Sequence, residues 1–132
     1  MMNHSIFAAL FVIASASAYA QASDPCVTQR TTVEMNACAK LTLIKKDKEL
    51  NAVYQKLVEG LAPIDRTDTT DYAEVKRLLV DAQRNWIKFR DSDCKGQLRL
   101  NESGSIRGVV YPGCLSERTE QRTKELLKWT DG

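Results

Sequence analysis

Leu78-Leu79-Val80-Asp81-Ala82-Gln83-Arg84-Asn85-Trp86-Ile87-Lys88-Phe89-Arg90-Asp91-Ser92-Asp93-Cys94 is the stretch whose reading sets the fold. Val75, Leu78, Leu79, Ala82, Trp86 and Phe89 recur at steps of three and four, which places them on one stripe of a helix and leaves Asp81, Arg84, Lys88 and Asp91 facing water. A core helix is predicted here. Trp86 and Phe89 bring its largest apolar surfaces, as large aromatics at helical spacing usually do. Cys94 closes it with an atom that can be tied covalently elsewhere.

Upstream, Thr31 followed by Glu34 has the spacing of a capping box, in which hydroxyl and carboxylate each satisfy a backbone amide across the first turn. A helix is expected from there through Cys38, Leu41, Leu50, Val53, Tyr54, Leu57 and Leu61, preceded by an irregular lead over residues 21–30. Lys45 to Glu49 is expected as an i,i+4 pair on its solvated face. A connection of about nine residues, rich in Asp and Thr behind Pro63, reverses the chain before Asp71 caps the core helix. After Cys94, residues 106–111 read as a short extended piece, and Pro112-Gly113 as a turn that delivers Cys114. A last helix is expected from about Leu115 to Trp129, with Leu115, Thr119, Arg122, Leu126 and Trp129 on one face. The fold class is therefore all-α: an antiparallel hairpin of two long helices plus a shorter third.

The 132 residues, 27% charged and 43% hydrophobic, fit one globular domain. Net charge is +2 from 19 basic and 17 acidic residues interspersed along the chain, so no basic stripe suited to a phosphate backbone forms, and nucleic acid is not an expected partner. Met1 to Ala20 reads as a secretory signal, with an apolar run over residues 6–13 and a small-x-small ending, Ala18-Tyr19-Ala20. That run is well short of the roughly 20 residues a membrane span needs. A single domain over residues 21–132 is expected, with no stable membrane insertion after cleavage. No lipid-attachment pattern precedes Cys26, so the expected location is the periplasm or the exterior.

Cys26, Cys38, Cys94 and Cys114 all follow that site, and an even number in an oxidising compartment is most simply two disulfides. Three connectivities are possible. Sequence proximity favours Cys26 with Cys38 and Cys94 with Cys114, whereas the matching level of Cys38 and Cys94 in a hairpin favours the crossed pairing. The local pairing is the expectation adopted.

The only histidine, His4, lies in the signal, which removes Ser-His and Cys-His nucleophile pairs and histidine metal sites from the mature chain. No glycine-rich phosphate loop occurs. Neither catalytic residues nor a metal or cofactor are expected, and the chain reads as a non-enzyme. What stands out is a set of polar residues on or beside apolar faces: Asn36, Asn51, Gln83, Arg90 and Arg122. Asn51, Gln83 and Arg122 are expected to form a buried network between helices.

Glu34-Met35-Asn36-Ala37-Cys38, Asp47 with Leu50-Asn51-Ala52-Val53-Tyr54, Ala82-Gln83 with Trp86, Phe89-Arg90-Asp91 and Cys94, Gly104-Ser105, and Cys114-Leu115 with Thr119 and Arg122 form a spaced series. It resembles the domain typified by the N-terminal part of the LprI lysozyme inhibitor. The resemblance covers nearly all of the mature chain. It implies a small helical domain outside the cytoplasm, some of whose relatives inhibit lysozyme, and Met35, Asn36, Asn51, Tyr54, Gln83, Trp86, Phe89, Arg90 and Arg122 as its structural motif. Departures from the namesake are expected in the lack of a lipid-anchoring cysteine and of a second domain, and no aromatic stands between Cys38 and Asp47.

The partner implied is lysozyme or another extracytoplasmic protein. Lysozyme cuts glycan with two carboxyl groups in a cleft, and blocking it needs only a rigid protrusion that offers those groups a donor. Residues 101–113, braced by Cys94 and Cys114, are the expected protrusion. Ser103 and Ser105 are its hydroxyl donors, Arg107 its charged partner for a carboxylate and Tyr111 its anchor. The rival expectation is a non-inhibitory envelope module that binds or supports another protein.

Overall fold

The computed structural model describes residues 25–129, so the signal expected over residues 1–20 lies outside the described residues. Four helices follow in order: α1 (Pro25–Thr28), α2 (Thr32–Gly60), α3 (Tyr72–Leu100) and α4 (Arg107–Leu127). No strand occurs among the described residues. The lead expected to be irregular thus carries one short helical turn.

Both long helices begin where their caps are written. Thr31 Oγ1 accepts from the Glu34 amide at 3.2 Å, and Glu34 returns a carboxylate to the amides of Thr31 at 3.0 Å and Arg30 at 2.8 Å. Hydrogen bonds from Thr28, Thr31 and Arg30 hold the Glu34 carboxyl below its ordinary pKa. Asp71 likewise accepts from the Glu74 amide at 3.0 Å. Between the helices, Asp68 accepts from the amides of Thr70 and Ile64 and from the Tyr72 hydroxyl, which keeps its carboxyl far below the usual carboxylate range. The reversing connection is therefore folded on its own polar side chains.

α4 departs from expectation. Residues 106–111 are not extended and Pro112-Gly113 is not a turn: the helix starts at Arg107, eight residues before Leu115, and runs through both. The loop expected over residues 101–113 shrinks to residues 101–106. A Pro-Gly pair reads as a turn because proline lacks the N–H that a helix interior requires. Here Pro112 is buried, and its own carbonyl accepts from Ser116 Oγ at 2.8 Å. Packing of the whole segment on α2 outweighs the lost bond; α2 and α4 make the most extensive helix contact in the molecule.

α3 runs antiparallel to α4, since Gln83 meets Arg122 while Cys94 is joined to Cys114, and α4 lies parallel to α2, since Asn36 stands beside Gly108 and Asp47 meets Thr119; α3 is thus antiparallel to both. α4 packs against both long helices, whose backbones scarcely approach each other. The main core is Leu50, Leu57, Leu79 and Leu126, with Val53, Tyr54 and Trp86 against it. A second, smaller core of Cys94, Cys114 and Leu115 takes Leu43 and Tyr111.

The α3 face is rotated from the expected stripe. Leu79 is fully buried and Trp86 packs on the core, but Leu78, Ala82 and Phe89 face outward, Phe89 at 57% exposure. Gln83 and Arg90 point inward in their place. These two are tolerated there because each finds a polar partner, which removes the cost of burying it. Arg122 Nε donates to Gln83 Oε1 at 3.0 Å, as the expected network requires. Asn51 does not join it and is exposed on α2. Arg90 Nη1 donates to Asp47 Oδ1 and to Thr119 Oγ1, both at 3.1 Å, its guanidinium carbon lies 5.1 Å from the centre of the Trp86 ring, and it pairs with Asp91 at 3.0 Å. One guanidinium thus ties all three long helices. On the surface, Lys46 rather than Lys45 pairs with Glu49, and it also reaches Glu120.

Both disulfides follow the local pairing, Cys26–Cys38 with partners 12 positions apart in sequence and Cys94–Cys114 with partners 20 apart. The crossed pairing fails on register. It is Leu43, more than a helical turn after Cys38, that packs on the cluster of Cys94, Cys114 and Leu115.

Candidate functional site

The short loop after α3 is built from backbone and local side-chain bonds. Asn101 Nδ2 donates to the Gln97 carbonyl at 2.8 Å, the Gly104 amide to the Asn101 carbonyl at 3.0 Å, and the Arg107 amide to the Gly104 carbonyl at 3.2 Å. Arg99 pairs with Glu102. The buried Cys94–Cys114 bridge joins α3 to α4 just beyond, so the loop is anchored on both sides by packed structure.

An open cleft of about 610 Å³ lies between this loop and the start of α2, lined by Thr32, Asn36, Glu102, Ser103, Ser105, Arg107 and the two glycines Gly104 and Gly108. Ser103, Ser105 and Arg107 are exposed, and Arg107 makes no ion pair among the described residues. A second cleft of about 400 Å³ shares Glu102, Arg107 and Gly108, and adds Lys40, Leu98, Tyr111 and Pro112. The first turn of α4 is therefore a ridge between two hollows, with Arg107 on it. Three of the four expected contact residues line the first cleft and Tyr111 lines the second. Tyr111 is half-buried against the Cys94–Cys114 cluster, so most of its ring is committed to the fold.

The chemistry of this ridge is mostly that of a donor. Ile106, at the head of α4, gives no side-chain cap to the helix, and backbone carbonyls take up most of its first amides: Gly104 that of Arg107, and Ile106 those of Val109 and Val110. The donors that face the cleft are the Arg107 guanidinium and the two serine hydroxyls, which favour an acidic or carbonyl oxygen. Two acceptors lie behind. Pro112 has no N–H to give the Gly108 carbonyl, and Asn36 Oδ1 is buried with no hydrogen-bond partner among the described residues.

Sequence reasoning missed Thr32, Glu102 and Gly108. Gly108 had a faint signal, being one of six glycines and adjacent to the expected charged partner. Its reason is steric: a Cβ built there would stand 2.6 Å from the Asn36 amide. Gly108→Ala is accordingly expected to cost about 1 to 3 kcal/mol by overpacking, less the helix propensity gained, which is at most about 1 kcal/mol. Adding Asn36→Ala should return the loss, so a urea-unfolding double-mutant cycle should show a coupling of about 1 kcal/mol or more. Additive effects would mean that the two residues do not share the space.

None of these groups makes a nucleophile–base pair, and all four cysteines are in disulfides. Asp93 stands near Cys94 and Cys114, but both sulfurs are already bonded to each other. The arrangement is suited to binding.

Comparison with known proteins adds a name to the geometry. The family model described as lysozyme inhibitor LprI matches residues 22–126. An uncharacterised protein of Rhizobium meliloti strain 1021 is 32% identical over 121 residues, which span 89% of this chain and 87% of that protein. No solved structure gives a significant match.

Proposed function

Because this chain belongs to the LprI family of lysozyme inhibitors, we propose that it binds lysozyme outside the cytoplasm and blocks its cleft without covalent chemistry. The observation that carries the reading is Arg107: an exposed cation with no ion pair among the described residues, on a helix turn that is flanked by hydroxyls and clamped by a buried disulfide. A rigid scaffold matters because binding then spends little on ordering the contact residues. In this reading the ridge enters the enzyme's cleft, Arg107 pairs with a catalytic carboxylate, and Ser103 and Ser105 give hydroxyl hydrogens to carboxylate or carbonyl oxygens. Tyr111 acts from its half-buried place as a wall beside them.

The test is clearing of a cell-wall suspension by lysozyme. The purified protein should slow clearing in proportion to the amount added until the enzyme is saturated. Arg107→Ala should weaken inhibition roughly 10- to 100-fold, the worth of one charge-assisted hydrogen bond, with unchanged helical circular dichroism. Charge favours a second reading, a non-inhibitory envelope module. At a net +2 the chain gains no long-range attraction toward any lysozyme that is itself basic, as those of animals generally are. No slowing with any of several lysozyme types would leave that module as the function.

A further inference from the structure

α2 carries apolar side chains on two sides. Its buried side supplies Leu50 and Leu57 to the core, yet Val33 at 77%, Ile44 at 63% and, less fully, Leu41 at 38% exposure stand toward water. Lys45, Lys48 and Lys56 share this outer side, are all exposed, and make no ion pair or hydrogen bond among the described residues, while Lys40 at its edge turns to the cleft lined by Arg107 and Tyr111. The carboxylates of α2 are mostly withdrawn: Glu34 closes the capping box, Asp47 meets Arg90 and Thr119, and Glu49 pairs with Lys46, which leaves Glu59 at the far end. Two depressions mark the same side, one lined by Ile44, Lys48, Asn51, Ala52, Gln55 and, at its inner edge, the Asp47 that meets Arg90, the other by Lys45, Lys48, Glu49 and Ala52.

We propose that the outer face of α2 is a peripheral docking surface for an anionic phospholipid bilayer. Charges interspersed along the chain gave no basic stripe in sequence, but on the folded helix Lys45, Lys48 and Lys56 stand unpaired on one side, and unpaired lysines so gathered call for an anionic partner. The protruding Val33, Leu41 and Ile44 favour one that also takes up apolar side chains, which a lipid surface does and a simple polyanion does not. Lysine stems lie along apolar surface while their ammonium groups reach the headgroups, so both residue types serve together. The contact is a surface one, since no helix among the described residues is long and apolar enough to cross a membrane.

The experiment is co-sedimentation of the oxidised chain lacking residues 1–20, in which every described helix is retained, with vesicles of phosphatidylcholine alone or mixed with phosphatidylglycerol. Binding is expected to the mixed vesicles, more than tenfold above the neutral ones, and to be lost at high salt. Lys45→Gln with Lys48→Gln should lower partitioning roughly 25-fold, about fivefold per lysine, and Ile44→Gln should lower it several-fold. Lys88→Gln with Lys95→Gln on α3, the same loss of charge elsewhere, should leave it within about twofold. Equal binding to neutral vesicles, or an equal loss from the α3 pair, would overturn the assignment. No lysozyme enters this measurement, so its failure is separate from failure of the inhibitor reading.

Discussion

Replacing Cys94 and Cys114 together by alanine should lower the unfolding free energy by about 3 kcal/mol, the loop-closure value for partners about 20 residues apart. For a domain of this size that is a fall in Tm of roughly 12 to 25 °C. The full effect is expected because both cysteines are buried in a core that joins α3 to α4, with Leu43 of α2 and Tyr111 packed on them. Neither end can leave without disrupting that core. The Cys26–Cys38 bridge closes a loop of similar size, but its removal differs in consequence. That bridge tethers α1, a single turn whose packing partner is α2, so its loss is expected to release the turn and leave the core in place. Thermal unfolding followed at 222 nm should therefore separate the two double variants widely. Equal losses would mean that α1 is integral to the global fold.

The second large effect is expected at Leu126, which has no solvent exposure and meets Leu50, Leu57 and Leu79 where the three long helices come together. Leu126→Ala should cost about 2 to 5 kcal/mol, the transfer of the lost methyl groups plus the cavity left behind. The informative comparison is Phe89→Ala. On the helical stripe read from sequence, Phe89 is a core aromatic whose truncation costs as much or more; in the structure it is exposed, and the change should stay within about 0.5 kcal/mol. Urea unfolding of both variants decides between the two faces. A large loss at Phe89 would turn α3 back to the expected orientation.

The orientation of α3 shows where sequence reading stops. Leu78, Ala82 and Phe89 are apolar and Gln83 and Arg90 are polar, so any reading by hydropathy puts the first set inside. What reverses part of it is a set of partners far along the chain: Arg122 for Gln83, and Asp47 and Thr119 for Arg90. A buried polar group is acceptable only when such partners exist, and their convergence is a property of three packed helices together. Asn51 makes the converse case. It has the same character as Gln83, yet no helix brings it a partner, and it stays in water.

The candidate site was legible to a similar degree. Ser103, Ser105 and Arg107 could be named because they follow a helix end and precede a cysteine, and the structure places all three on one cleft. Its other wall was not legible. Thr32 and Asn36 lie some seventy residues earlier in the chain. They reach the cleft only because α4 lies parallel to α2 and begins early, with Gly108 allowing the two backbones to approach.

By itself the sequence determined the helical class, the starts of the two long helices and the local disulfide pairing as the simpler choice. Each of those rests on neighbours in the chain: periodicity, a capping residue three positions away, a short loop to close. Only the tertiary structure decided which face of α3 is buried, that α4 continues through Pro112, and that the loop before it opens onto α2. Those outcomes depend on contacts between segments remote in sequence, whose packing and paired polar groups outweigh the local preferences of hydropathy and of a Pro-Gly pair.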